Sequence, residues 1–182
     1  ADSNTLHYVR ITDGYATDGG GIHLSEANTR LSLAHTVIAG NYAAHSGGGV
    51  YLGPGTKAWI VDCTVSGNVS AGTGSSTRGG GGLCVYSATA EVFNSVFTGN
   101  AAGQYGGAAF VYSSAAQLLN CTITSNTAPG GSGLRVASGT VSMLNTILWG
   151  DTYSGSFGAS YCDIQNSGDV YPGVGNINDY PE

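Results

Sequence analysis

Ile38-Ala39-Gly40-Asn41 returns as Val65-Ser66-Gly67-Asn68, as Phe97-Thr98-Gly99-Asn100, as Ile123-Thr124-Ser125-Asn126 and as Leu148-Trp149-Gly150-Asp151. A looser copy, Ile11-Thr12-Asp13-Gly14, precedes them. The copies end at 14, 41, 68, 100, 126 and 151, in steps of 27, 27, 32, 26 and 25 residues. Such a period marks a repeat architecture, in which each unit buries its apolar face against the next. A second block keeps the same phase. It reads Gly19-Gly20-Gly21-Ile22-His23-Leu24, Gly47-Gly48-Gly49-Val50-Tyr51-Leu52 and Gly80-Gly81-Gly82-Leu83-Cys84-Val85, then Gly106-Gly107-Ala108-Ala109-Phe110-Val111 and Gly131-Ser132-Gly133-Leu134-Arg135-Val136. In each copy the first and third residues after the small ones are apolar, the alternation of a strand.

A third strand precedes each Asn and carries Leu31 and Leu33, Ala58 and Ile60, Ala90 and Val92, Ala116 and Leu118, then Val141 and Met143. Turns rich in Gly, Asn and Ser separate the strands. No segment has the 3.6-residue apolar stripe of a helix. A propeller blade needs about 40 residues and a Trp-Asp signature. Three short strands in about 26 residues instead fit one coil of a parallel β-helix. The expected fold is therefore an all-β, right-handed parallel β-helix, a solenoid of five to six coils with three short strands each. It should span residues 1–168, with an irregular tail over 169–182.

The sequence resembles the secreted, Gly- and Asn-rich right-handed β-helix repeat proteins, including the repeats of polymorphic outer-membrane and autotransporter passengers. The resemblance rests on Gly47-Gly48-Gly49-Val50-Tyr51 and on Asn120-Cys121-Thr122-Ile123-Thr124-Ser125-Asn126-Thr127-Ala128. Asn145-Thr146-Ile147-Leu148-Trp149-Gly150 and Tyr161-Cys162-Asp163-Ile164 are similar to a last coil of such domains. It covers roughly residues 9–180. It implies the fold and an extracellular or cell-surface location, and says little about activity.

Composition narrows the partners. Charged residues are only 9% of the chain and the net charge is −6. Arg10, Arg30, Lys57, Arg78 and Arg135 are scattered, so no basic face exists to displace phosphate counterions, which argues against nucleic acid. No apolar run approaches the roughly 18 residues of a membrane span. The start Ala1-Asp2-Ser3 suits a mature end left by a signal peptidase.

Two polar columns stand out. Asn41, Asn68, Asn100, Asn126 and finally Asp151 form one, read as a structural ladder, since Asn tolerates left-handed turns and its amide can bond the next Asn in a stack. Asp62, Asn94, Asn120 and Asn145 form a second turn column. Asn68-Val69-Ser70 and Asn120-Cys121-Thr122 are glycan acceptor sequons, with Asn120 the better candidate because Asn68 belongs to the ladder. Cys63 and Cys121 share a column with Thr36, Ser95 and Thr146. They lie two coils apart, about 9.6 Å at the spacing of paired strands, beyond the roughly 7 Å a disulfide spans. They are read as unpaired apolar fillers. Cys84 falls in an outward column between Tyr51 and Phe110.

No catalytic site is expected. A glycosidase needs two facing carboxylates. Asp13 with Asp18, and Asp163 with Asp169, form no cluster with a suitable Lys or Arg. His7, His23, His35 and His45 read as lone surface residues. No metal or cofactor motif is present. The favoured function is a non-catalytic extracellular structural subunit that self-associates end to end into a fibre or surface appendage. The first alternative is a monomeric adhesive or carbohydrate-binding module of a longer secreted protein, with Tyr51 and Phe110 stacking on sugar. The second is a remnant of a polysaccharide-degrading enzyme.

Overall fold

The computed structural model describes residues 3–165 and 170–179. Within them the chain winds through strands that pair in parallel, each with its counterpart one coil before and one coil after. Sheet A stacks Ser3–His7, Arg30–Ala34, Lys57–Val61, Thr89–Phe93, Ser114–Leu119, Gly139–Leu144 and Gly158–Ser160. Sheet B stacks Arg10–Thr12, Val37–Ala39, Thr64–Ser66, Val96–Thr98, Thr122–Thr124, Ile147–Trp149 and Asp163–Ile164. Sheet D stacks Ile22–Leu24, Val50–Leu52, Leu83–Tyr86, Ala109–Tyr112, Leu134–Val136 and Tyr153–Ser154.

Register follows the sequence columns. Val65 pairs with Ile38 and Phe97, Leu83 with Val50 and Ala109, and Val92 with Ile60 and Leu118. Because side chains alternate across a strand, these residues all point inward. They form one continuous core in which Ile38, Val50, Ile60, Val65, Ile123 and Leu148 are fully buried. Each such side chain contributes about 1.5–3 kcal/mol relative to exposure.

The expectation of three strands per coil is incomplete. A fourth strand follows the Asn of the early coils and makes sheet C, from Tyr15–Asp18, Tyr42–Ser46, Val69–Ser70 and Ala101–Ala102. Its inward positions are the small residues Ala43, Ser70 and Ala102, which give no apolar alternation for the sequence to display. The triple-glycine blocks answer to this sheet. A Cβ on Gly81 would lie 2.4 Å from the Ala101 carbonyl oxygen and 2.5 Å from that of Gly107. Only glycine lets the backbones pass so closely.

The tail is not irregular throughout. At the corner between sheets A and B, Tyr8, His35, Asp62, Asn94, Asn120, Asn145 and Tyr161 all adopt left-handed φ between 48° and 54°. Gly175 does the same at 68°. Tyr161 N–H donates to Val174 O as Asn145 N–H donates to Ser160 O. Ile177 N–H donates to Cys162 O as Asp163 N–H does to Thr146 O. Residues 174–177 therefore repeat the corner once more and occupy the C-terminal edge. Tyr171 seals them by stacking on Phe157 at 4.5 Å and donating its hydroxyl to Phe157 O. Asp169 and the last three residues lie outside the described residues.

Candidate functional site

The Asn column is a continuous hydrogen-bonded ladder. Asn41 N–H and Nδ2 both donate to Asn68 Oδ1, at 3.1 and 2.9 Å. Asn68 repeats this on Asn100, and Asn100 on Asn126. Each Nδ2 also reaches back to the carbonyl three residues before the preceding rung, as Asn100 does to Val65 and Asn126 to Phe97. Asp151 ends the row, accepting from Asn126 N–H and Nδ2 at 2.8 and 2.7 Å. Burial holds its carboxyl above the ordinary 3.8, and the two Asn126 bonds oppose that rise. All ladder valences are directed inward, and Asn68 is 0% exposed. Asn68 is therefore corrected as a glycan acceptor. Asn120 is exposed, with its Nδ2 bonded to Asn94 Oδ1 at 3.0 Å.

The next column corrects the reading of the cysteines as apolar fillers. Thr36 Oγ1, Cys63 Sγ, Ser95 Oγ, Cys121 Sγ, Thr146 Oγ1 and Cys162 Sγ each donate to the carbonyl two residues earlier. The oxygens also accept a backbone N–H from the coil before: Cys63 N–H donates to Ser95 Oγ, and Cys121 N–H to Thr146 Oγ1. Cysteine stands here as a weak hydroxyl substitute. All four thiols are free and buried, and burial raises each of them, Cys121 to about 11.

The outward column of sheet D reads His23, Tyr51, Cys84, Phe110, Arg135 and Ser154. Phe110, expected to present a ring to sugar, is 0% exposed. Tyr105 stacks over it at 6.1 Å and Tyr112 lies at 6.5 Å, so it is a packing residue. Tyr51 is half-buried and stacks under His23 at 5.0 Å. Nor are the histidines alone. His23 Nδ1 bonds Asp18 O at 2.8 Å, His45 Nδ1 lies 4.0 Å from Asp18 Oδ2, and His35 Nδ1 lies 3.8 Å from Asp62 Oδ2.

One polar pocket opens beside this column. It has a volume of about 280 Å³ and is lined by Asp18, His45, Ser46, Tyr51, Thr77, Arg78 and Tyr86. Sheet C supplies Asp18, His45 and Ser46, and sheet D supplies Tyr51 and Tyr86. Thr77 and Arg78 come from the single long step of the repeat, the 32 residues between Asn68 and Asn100. That insertion is pinned by Ser75 N–H to Gln104 Oε1 and by Arg78 Nη1 to Thr73 O. Burial pushes the Tyr51 phenol up to about 12, aided by Cys84 and Asp18, so it keeps its proton and can donate it in a hydrogen bond. Sequence reasoning pointed to Tyr51 as a ring for sugar but did not assemble the rest of the site, because its residues come from different coils and only the unequal step of 32 marked the insertion.

Among the described residues, no three His, Cys, Asp or Glu side chains gather where a metal ion could sit. The family model described as right handed beta helix region matches residues 1–170. The chain belongs to the right-handed β-helix family. No curated protein matches this β-helix, and no solved structure does. The family membership accounts for the scaffold.

Proposed function

We propose that this β-helix is a non-catalytic, extracellular adhesive module that binds carbohydrate at the insertion pocket. The observation that carries the reading is the pocket itself. The repeat departs most from its period where donors and acceptors from three segments converge on one cavity. The ladder and the Thr/Ser/Cys column, by contrast, satisfy their polar groups within the coil.

Growth into a head-to-tail fibre is less well supported than the sequence implied. A fibre of that kind needs two open ends. Residues 174–177 hold the backbone groups that an incoming coil would use at the corner between sheets A and B.

The test is retention on immobilised polysaccharides combined with sedimentation over a range of concentrations and a reducing-end assay. Retention without sugar release, by a species that forms no filaments, is expected. Release of reducing or unsaturated ends, or concentration-dependent filaments, would replace this reading.

A further inference from the structure

The pocket's boundaries and charges say more about its ligand, on the reading that it binds carbohydrate. Along the solenoid axis the rings of Tyr51 and Tyr86 line the cavity, Tyr51 stacked on His23 and Tyr86 on Tyr112. Across the axis, Thr77 and Arg78 of the insertion face Asp18 and His45. A volume of about 280 Å³ is that of about nine waters at about 30 Å³ each. This holds one sugar ring with its hydroxyls.

The polar groups are of both kinds. Asp18 accepts, Arg78 and the two phenols donate, and the Thr77 hydroxyl does either. No carboxylate lies within ion-pair distance of Arg78 among the described residues, so beyond the Nη1 bond to Thr73 O its guanidinium has donors to offer a ligand. Asp18 puts a negative field on its side of the pocket, since it contributes to raising both Tyr51 and the buried Cys84 thiol. A sugar carboxylate on that side would meet this field, and a sugar ammonium would meet Arg78. Hydroxyl groups, which donate and accept, fit both walls.

We propose that the pocket receives one residue of a neutral glycan, gripping its hydroxyl groups between Asp18 and Arg78 over the phenols of Tyr51 and Tyr86. The experiment titrates the full chain with methyl glycosides of glucose, galactose and mannose, and with galacturonic acid, by ligand-observed NMR. At least one neutral hexoside is expected to bind, at least tenfold more tightly than galacturonic acid. Arg78→Ala should weaken it at least tenfold. Tyr86→Phe, which keeps the ring stacked on Tyr112 at 5.3 Å, should weaken it several-fold with an unchanged urea midpoint. Arg30→Ala, on sheet A, should leave binding unchanged. Binding indifferent to both pocket variants, or a preference for the uronate, overturns the inference. If immobilised glycans retain the protein but no hexoside competes, this inference falls and the adhesive reading stands. If no glycan binds in either format, both fall.

Discussion

Replacing Asn100 with Ala tests the ladder at its most enclosed rung. The side chain is 0% exposed and takes part in four hydrogen bonds. Its Oδ1 accepts Asn68 N–H and Nδ2 at 3.1 and 3.0 Å, and its Nδ2 donates to Val65 O and Asn126 Oδ1 at 2.9 and 3.0 Å. Truncation leaves Asn126 Oδ1 with one donor, the Asn100 N–H, and Asn68 Nδ2 with one acceptor, Ile38 O. The Asn68 N–H is left without a partner in a site water does not reach, and Val65 O loses its side-chain donor. At about 1–3 kcal/mol for each buried unsatisfied group, the variant should lose about 2–6 kcal/mol. That is a large part of the roughly 5–15 kcal/mol that stabilises a domain. Asn41→Ala is the internal control. Its partners Gly14 N–H and Ile11 O lie in the first coil, where the bonds are part-buried and water can substitute. Its expected cost is about 0.5–1.5 kcal/mol. The assay is urea unfolding followed by far-UV circular dichroism. If Asn100→Ala costs no more than Asn41→Ala, the ladder does not contribute as argued.

Three further outcomes follow from the same geometry. Asp151 has its carboxyl raised above 3.8 by burial, so its contribution to stability is fully present below that pH and is lost as pH rises through the raised value. Asp151→Asn should remove that loss, flattening the pH dependence of the melting temperature and raising it at neutral pH; an unchanged profile would contradict the assignment. Cys63→Ser should change stability by less than about 1 kcal/mol, because Ser95 already fills that column with a hydroxyl, whereas Cys63→Val should cost more by leaving the column without its donor to Val61 O. Native protein should resist thiol labelling and denatured, unreduced protein should take up four labels, since all four cysteines are buried and free; recovery of any disulfide would refute the register.

The apolar columns were legible because a solenoid repeats its own environment. The position that holds Ile38 also holds Val65, Phe97, Ile123 and Leu148, and a period of about 26 residues puts them in one row. Strand alternation then fixes which residues face inward, and nothing beyond one coil is needed to see it. The Asn ladder was visible for the same reason. Sheet C was not, since Ala43, Ser70 and Ala102 are too small to mark a strand. Phe110 was misplaced because alternation assigns it to an outward face, while Tyr105, from the preceding turn, folds over that face. The hydroxyl role of Cys63 and Cys121 was hidden by reading thiols as apolar, although Thr36, Ser95 and Thr146 share their column.

By itself, the sequence determined the repeat, the inward columns, the rungs of the Asn ladder and the impossibility of a Cys63–Cys121 bridge. All of these depend on interactions between equivalent positions in neighbouring coils, which the period alone relates. Only the tertiary structure decided how inequivalent positions meet. It brought Asp18, His45, Tyr51, Tyr86 and Arg78 around one cavity, buried Phe110, and turned residues 174–177 into a last corner over sheets A and B. Those contacts depend on the path of an insertion and a tail that follow no period, so their partners are chosen by packing in three dimensions and leave no spacing in the chain to read.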